Sequence, residues 1–225
     1  MAYGRHWEWR GFGTISDETR EQLRKLPALF ATRDRVTDHY LTLPGAKLNV
    51  KLRERATTSL KLKRLEQHYY RTGTDLWVEK PEEEYRFPLS PSAVDTLNAS
   101  LGLTLPQSRS IGDPKMLVRL VRESGHEIDI ISVDKERETR SYAGPLGRGL
   151  IELTTIFKPE RIDSVGVEDA IGLSVDAEGK ALERAQDLVA QVVKEYRLNE
   201  SLRPMNYLQA LEIWAASRSI RDAWR

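Results

Sequence analysis

Lys47-Leu48-Asn49-Val50-Lys51-Leu52-Arg53-Glu54-Arg55, followed after Ala56-Thr57-Thr58 by Ser59-Leu60-Lys61-Leu62-Lys63-Arg64-Leu65, is the stretch on which the fold turns. Leu48, Val50 and Leu52 alternate with Asn49, Lys51, Arg53 and Arg55; Leu60 and Leu62 alternate with Lys61 and Lys63. A period of two sends successive side chains to opposite faces of a sheet. The spacing predicts strands over 47–55 and 59–65. If the two pair with apolar faces matched, the basic side chains gather on the other face. Residues 47–64 hold seven Lys and Arg against the single acid Glu54, a net charge of +6. Like charges facing each other across strands are destabilising, by roughly 0.2–1 kcal/mol per pair. Such a face is therefore either an outer surface screened by water, or one turned toward a polyanion whose phosphates bridge the cations.

The rest of the chain sharpens that choice. Its 225 residues carry 35 Lys and Arg against 34 Asp and Glu, a formal charge of +1, so everything outside residues 47–64 sums to −5. That excludes a bulk polycation built to grip nucleic acid, but not a focused anion site. The absence of cysteine excludes disulfides, thiolate zinc sites and a cysteine nucleophile. Five Trp, eight Tyr and four Phe supply core anchors that a disordered chain would lack. A chain of this length can bury roughly 70% of its unfolded surface in one core, and one domain over residues 1–225 is expected. The opening residues hold His6, Glu8 and Arg10 rather than an apolar leader, and no run approaches a membrane span. A soluble, cytoplasmic protein with no membrane partner is expected.

Further elements follow from local signals. In Arg5–Gly11, Trp7 and Trp9 alternate with His6, Glu8 and Arg10, which predicts a strand with tryptophans on one face and ionisable groups on the other. The tryptophans would pack under helices, or alternatively form a homodimer contact. Ser16 caps a short helix with Asp17 and Glu18 in its first turn. Asp75–Lys80 reads as a strand, and Ser90-Pro91 opens a helix that stops at Gly102. Strands are expected at Lys115–Glu123, His126–Asp134 and Gly149–Phe157, and helices at Ala181–Leu198 and Pro204–Trp224, within a helical tail from about 163 to 225. Two groups of strands around one helix, closed by a helical tail, read as an α+β domain on a largely antiparallel sheet.

A polyanion on the basic face would call for acids nearby to hold a divalent metal, which binds carboxylates together with phosphate oxygens. Glu8, Asp134 and Glu152 are the candidates.

The order of these features resembles the CYTH-like superfamily, the triphosphate tunnel metalloenzymes. His6-Trp7-Glu8-Trp9-Arg10 is similar to the family's opening Glu-x-Glu-x-Lys strand, with His and Arg at its first and last positions. Asp38-His39-Tyr40-Leu41-Thr42-Leu43-Pro44, Lys51-Leu52-Arg53 and Leu60-Lys61-Leu62-Lys63 resemble the segments that follow. Arg119, Val133-Asp134, Gly149–Glu152 and Arg203–Leu211 resemble the later ones, with Thr154 standing where the family has a second acid. The resemblance implies a closed eight-stranded antiparallel β-barrel, a tunnel flanked by helices. It implies substrate binding by Arg10, Lys51, Arg53, Arg55, Lys61, Lys63 and Arg119 and a divalent metal, Mg²⁺ or Mn²⁺, on Glu8, Asp134 and Glu152. Glu8 and His6 would be the catalytic groups.

Two functions are compatible with that reading. One is metal-assisted hydrolysis of the terminal phosphate of a triphosphate-containing small molecule or inorganic polyphosphate, with adenylyl cyclase chemistry as a weaker rival. The other is a binding module of the same fold that holds such a ligand without turnover.

Overall fold

A computed structural model describes residues 4–29, 34–42, 45, 47–53, 58–80, 83–106, 110–170 and 179–222. The elements run β1 (Gly4–Gly13), α1 (Asp17–Arg24), β2 (Asp34–Thr42), β3 (Leu48–Arg53), β4 (Ser59–Tyr69), β5 (Thr74–Glu79), β6 (Glu84–Arg86), α2 (Pro91–Leu101) and α3 (Pro114–Glu123). They continue as β7 (Asp129–Gly144), β8 (Gly147–Lys158), β9 (Ile162–Asp169), α4 (Lys180–Glu195), α5 (Leu198–Ser201), β10 (Leu202–Pro204) and α6 (Tyr207–Ala215).

The hairpin opens the sheet with the expected register: Val50 faces Leu62, Leu52 faces Leu60, and Lys51 faces Lys61. From there the strands run β1-β5-β4-β3-β2-β7-β8-β9, every neighbour antiparallel, and β9 pairs back onto β1. Eight strands thus close into a ring, and closure removes the exposed edges that an open sheet would present. β6 lies beside the start of β4, and β10 beside the end of β1.

Closure forces each strand to commit one face inward. The apolar faces went outward, beneath helices. Trp7, Trp9, Leu76, Ile151, Leu153, Val165 and Val167 pack against Leu188, Val189 and Val192 of α4. The tryptophans therefore lie under the helical layer. Leu48, Val50, Leu52, Leu60 and Leu62 pack beneath Val94 and Leu97 of α2 and Leu117, Leu120 and Val121 of α3. A third cluster brings Phe12, Tyr40, Val133, Ile156 and Ile162 against Tyr207, Leu211 and Trp214 of α6, which fills one end of the ring. The helices start where their caps dictate. Ser90 accepts from the Ala93 N–H, and Asn206 and Gln209 form a reciprocal capping box.

Three expectations need correcting. Lys115–Glu123 is the helix α3, not a strand: Asp113 accepts from the Met116 N–H, Pro114 occupies the first turn, and Leu117, Leu120 and Val121 form a helical stripe. Residues 163–169, expected inside the helical tail, belong to β9, the strand that closes the ring. β7 continues ten residues beyond the expected end at Asp134, to Gly144.

Candidate functional site

The inward faces carry the ionisable side chains. β1 contributes His6, Glu8 and Arg10, all buried. Glu8 sits at the centre of a chain of ion pairs: Arg10 Nε donates to its Oε1 at 2.7 Å, and Lys63 Nζ to its Oε2 at 2.5 Å. Lys63 also lies 3.5 Å from Glu79, which Lys61 holds from its other side. Arg10 reaches Glu152 at 3.1 Å and Ser164 at 3.3 Å, and Arg137 approaches Glu152 at 3.5 Å. Lys135, on β7, bonds to Asp38 at 3.1 Å and to the hydroxyls of Tyr40 and Tyr207. Lys51 stands 3.9 Å from Asp38. The cations are thus paired with carboxylates, as buried charges must be to offset the loss of water.

This pairing sets the proton affinities. Burial would raise the Glu8 carboxyl, but Lys63 and Arg10 outweigh it and bring it down to about 2. Glu79, likewise buried, falls to about 2 under Lys63 and Lys61. Glu152 is held well below the usual carboxylate range by Arg10, Lys135 and Arg137 in spite of its burial. Glu168 goes the other way. Burial, with Glu8, Glu152 and Glu79 nearby, pushes it up to about 7 against the pull of Lys63. Burial and Lys63 lower the His6 imidazole to about 4, so it is neutral at pH 7.

Among the described residues, His6, Glu8 and Glu168 can each offer one ligand atom within 4.8 Å of the others. Neither buried ring nitrogen of His6 has a hydrogen-bond partner there, which leaves lone-pair capacity in a place where it is costly to waste. One neutral imidazole and two carboxylates make a donor set that fits a divalent cation, and imidazole favours Mn²⁺ or Zn²⁺ over Mg²⁺.

The expected site residues divide. Glu8, His6, Arg10, Lys51, Lys61, Lys63 and Glu152 all belong to the charged interior. Glu152 is engaged by Arg10 and Arg137 and is not part of the His6–Glu8–Glu168 group. Arg53 occupies the β3 position opposite Ser59, and Arg55 lies outside the described residues. Asp134 is a correction: it pairs with the exposed Arg35 at 2.9 Å, while its neighbour Lys135 points inward, so it cannot join a metal site with Glu8. Arg119 is another: it lies on α3, outside the ring and largely exposed.

Glu79, Glu168, Lys135, Arg137 and Asp38 are further interior groups beyond the expected site residues. Alternation in Ser164-Val165-Gly166-Val167-Glu168 was the available signal for one of them. Gly166 weakens it, because the Arg10 guanidinium fills the space a side chain would take: a Cβ there would lie 2.5 Å from Arg10 Nη2. Beside Glu8 across β5 and β4 stand Asp75 and His68, the imidazole Nδ1 lying 2.5 Å from the buried carboxylate.

No family model matches the chain, and no curated protein sequence matches it. Among solved structures, a Bacillus halodurans chain described as a "putative adenylate cyclase" is similar over 92% of this chain and 98% of that one, at 14% identity and a TM-score of 0.45.

Proposed function

We propose that the ring interior binds a triphosphate-containing ligand together with a divalent cation, and hydrolyses its terminal phosphate. The observation that carries this reading is the meeting, inside one closed ring, of the His6–Glu8–Glu168 donor set with Lys63, which bonds to Glu8 itself. Phosphoryl transfer needs positioning and charge neutralisation more than covalent help from the protein. Lys51, Lys61 and Lys63 would exchange their carboxylate partners for phosphate oxygens, a swap of one anion for another within the same enclosed space. Arg10, gripped by Glu8 and Glu152 and lying 4.9 Å from the Tyr207 ring centroid, would mark the inner limit of the site. His6, Glu8 and Glu168 would hold the cation. Such an ion, when bound, neutralises phosphate charge and lowers the pKa of attacking water.

The second reading, a module that holds the ligand without turnover, draws support from Glu152, a carboxylate committed to two arginines instead of to the donor set. One experiment separates them: thermal stabilisation by tripolyphosphate and by nucleoside triphosphates, measured alongside phosphate release with Mn²⁺ or Mg²⁺. Stabilisation with release supports hydrolysis, and stabilisation without it supports the module. Absence of both stabilisation and release sinks both readings. A Mn²⁺-dependent stabilisation that disappears in His6→Leu would tie the cation to this donor set.

A further inference from the structure

Arg119 leaves the ring interior but does not stand alone. α3 presents Lys115, Arg119 and Arg122 at i, i+4 and i+7, on the side opposite its buried Leu117, Leu120 and Val121. Among the described residues, Lys115 and Arg122 have no carboxylate partner. Arg119 meets Glu123, at 3.7 Å and with both side chains more than 60% exposed, a contact worth little in water. On the flank between these cations and the sheet lies a cavity of about 480 Å³, within the range of roughly 300–1,000 Å³ typical of small-molecule sites. Its walls are the outward faces of β2, β3 and β7, through His39, Leu52 and Ile130, and the near side of α3, through Pro114 and Val118.

Leu52, Val118, Ile130 and Pro114 make the walls apolar except at His39 of β2, and the charged groups are concentrated at the α3 edge. That is the arrangement of a site that buries an apolar body and holds one charged end. The sign of the end is set by the rim, where the described residues place three cations against Glu123. The cavity lies outside the ring wall: Leu52 points away from the interior that the neighbouring Lys51 faces. An occupant of one cannot be an occupant of the other.

We propose that the groove beside α3 binds a small apolar monoanion, its tail against Leu52, Val118 and Ile130 and its acidic head at Arg119 and Arg122. This reading is independent of what the ring interior holds.

The test is fluorescence titration of the full chain with anilinonaphthalene sulfonate, with dodecanoate as competitor and dodecanol as its neutral counterpart. We expect one saturable site, displaced by dodecanoate and far less by dodecanol, and indifferent to tripolyphosphate. Arg119→Glu with Arg122→Glu should weaken the probe about tenfold or more, or ~1.4 kcal/mol, with an unchanged melting temperature because both side chains are exposed. Val118→Asp should weaken it similarly by placing an acid against the tail. Undiminished binding in the arginine double variant would overturn the proposal, as would displacement by tripolyphosphate or equal competition by dodecanol. So would a dimer in solution that dissociates on Arg119→Glu, since a second copy would then fill the groove.

Discussion

Two sets of cations in this molecule have opposite circumstances. Lys63, Lys135 and Arg10 lie inside the ring, each within about a hydrogen bond's reach of a carboxylate, and they hold Glu8 and Glu152 below the usual carboxylate range. Lys115, Arg119 and Arg122 lie on the outer side of α3, where water does the solvating and the ion pair of Arg119 with Glu123 is loose. The inner set is a network in which each charge is a structural requirement of the others. The outer set is close to free of the fold. Cations of the first kind can be lost only at a cost in stability, whereas the second kind can be spent on a ligand without one.

Stability should break the two regions apart most strongly. Glu8→Ala leaves Lys63 and Arg10 short of a buried partner and should cost about 3–5 kcal/mol in denaturant melts. Arg119→Ala should stay within about 0.5 kcal/mol. Replacing Glu8 and Lys63 together by Leu and Met should recover part of the loss, since Arg10 keeps Glu152 and Glu79 keeps Lys61. Equal losses from Glu8→Ala and Arg119→Ala would end the distinction.

Ligand binding comes next. Lys61→Gln removes one charge-assisted hydrogen bond, about 1.5–3 kcal/mol, and should weaken tripolyphosphate roughly ten- to a hundredfold. Arg119→Gln should leave that affinity alone while weakening the apolar anion, and calorimetric titration of both ligands against both variants reads the crossover.

A smaller effect is one of pH. Folding raises the Glu168 carboxyl from 4.5 to about 7, so between those values the folded chain binds more protons than the unfolded one. Its contribution is complete below pH 4.5 and is lost as pH rises through 7. Melting temperatures followed across that window should fall more steeply in the parent chain than in Glu168→Gln. The comparison with the variant matters because His6, lowered to about 4, works in the opposite sense, adding stability as pH rises toward its unfolded value. The smallest effect belongs to Asp134→Asn. With its carboxylate outside the ring and paired to exposed Arg35, metal and tripolyphosphate binding should not change.

Much of this was legible along the chain because it depends on neighbours two residues apart. The alternation of Trp7 and Trp9 with His6, Glu8 and Arg10, and of Leu60 and Leu62 with Lys61 and Lys63, separates two faces whatever the strand later meets. At α3 the local pattern is ambiguous, because Leu117-Val118 and Leu120-Val121 suit a buried strand as well as a helix, although Asp113-Pro114 repeats the logic of Ser90-Pro91. The side on which Asp134 falls is hidden for a different reason. Which residues of β7 point inward depends on its register against β2 and β8, and that register shifts at Asp134 and Lys135.

The sequence by itself determined the elements with clear periods and caps, the segregation of charge onto one face of the hairpin, and the absence of any thiol chemistry. It could not say which face would be enclosed. Only the pairing of β9 with β1 decided that the charged faces turn inward and the tryptophans and leucines outward under helices. The same closure set Glu8 opposite Glu168 and left Arg119 outside. Periodicity is a property of a strand alone, whereas inside and outside exist only once the last strand has met the first.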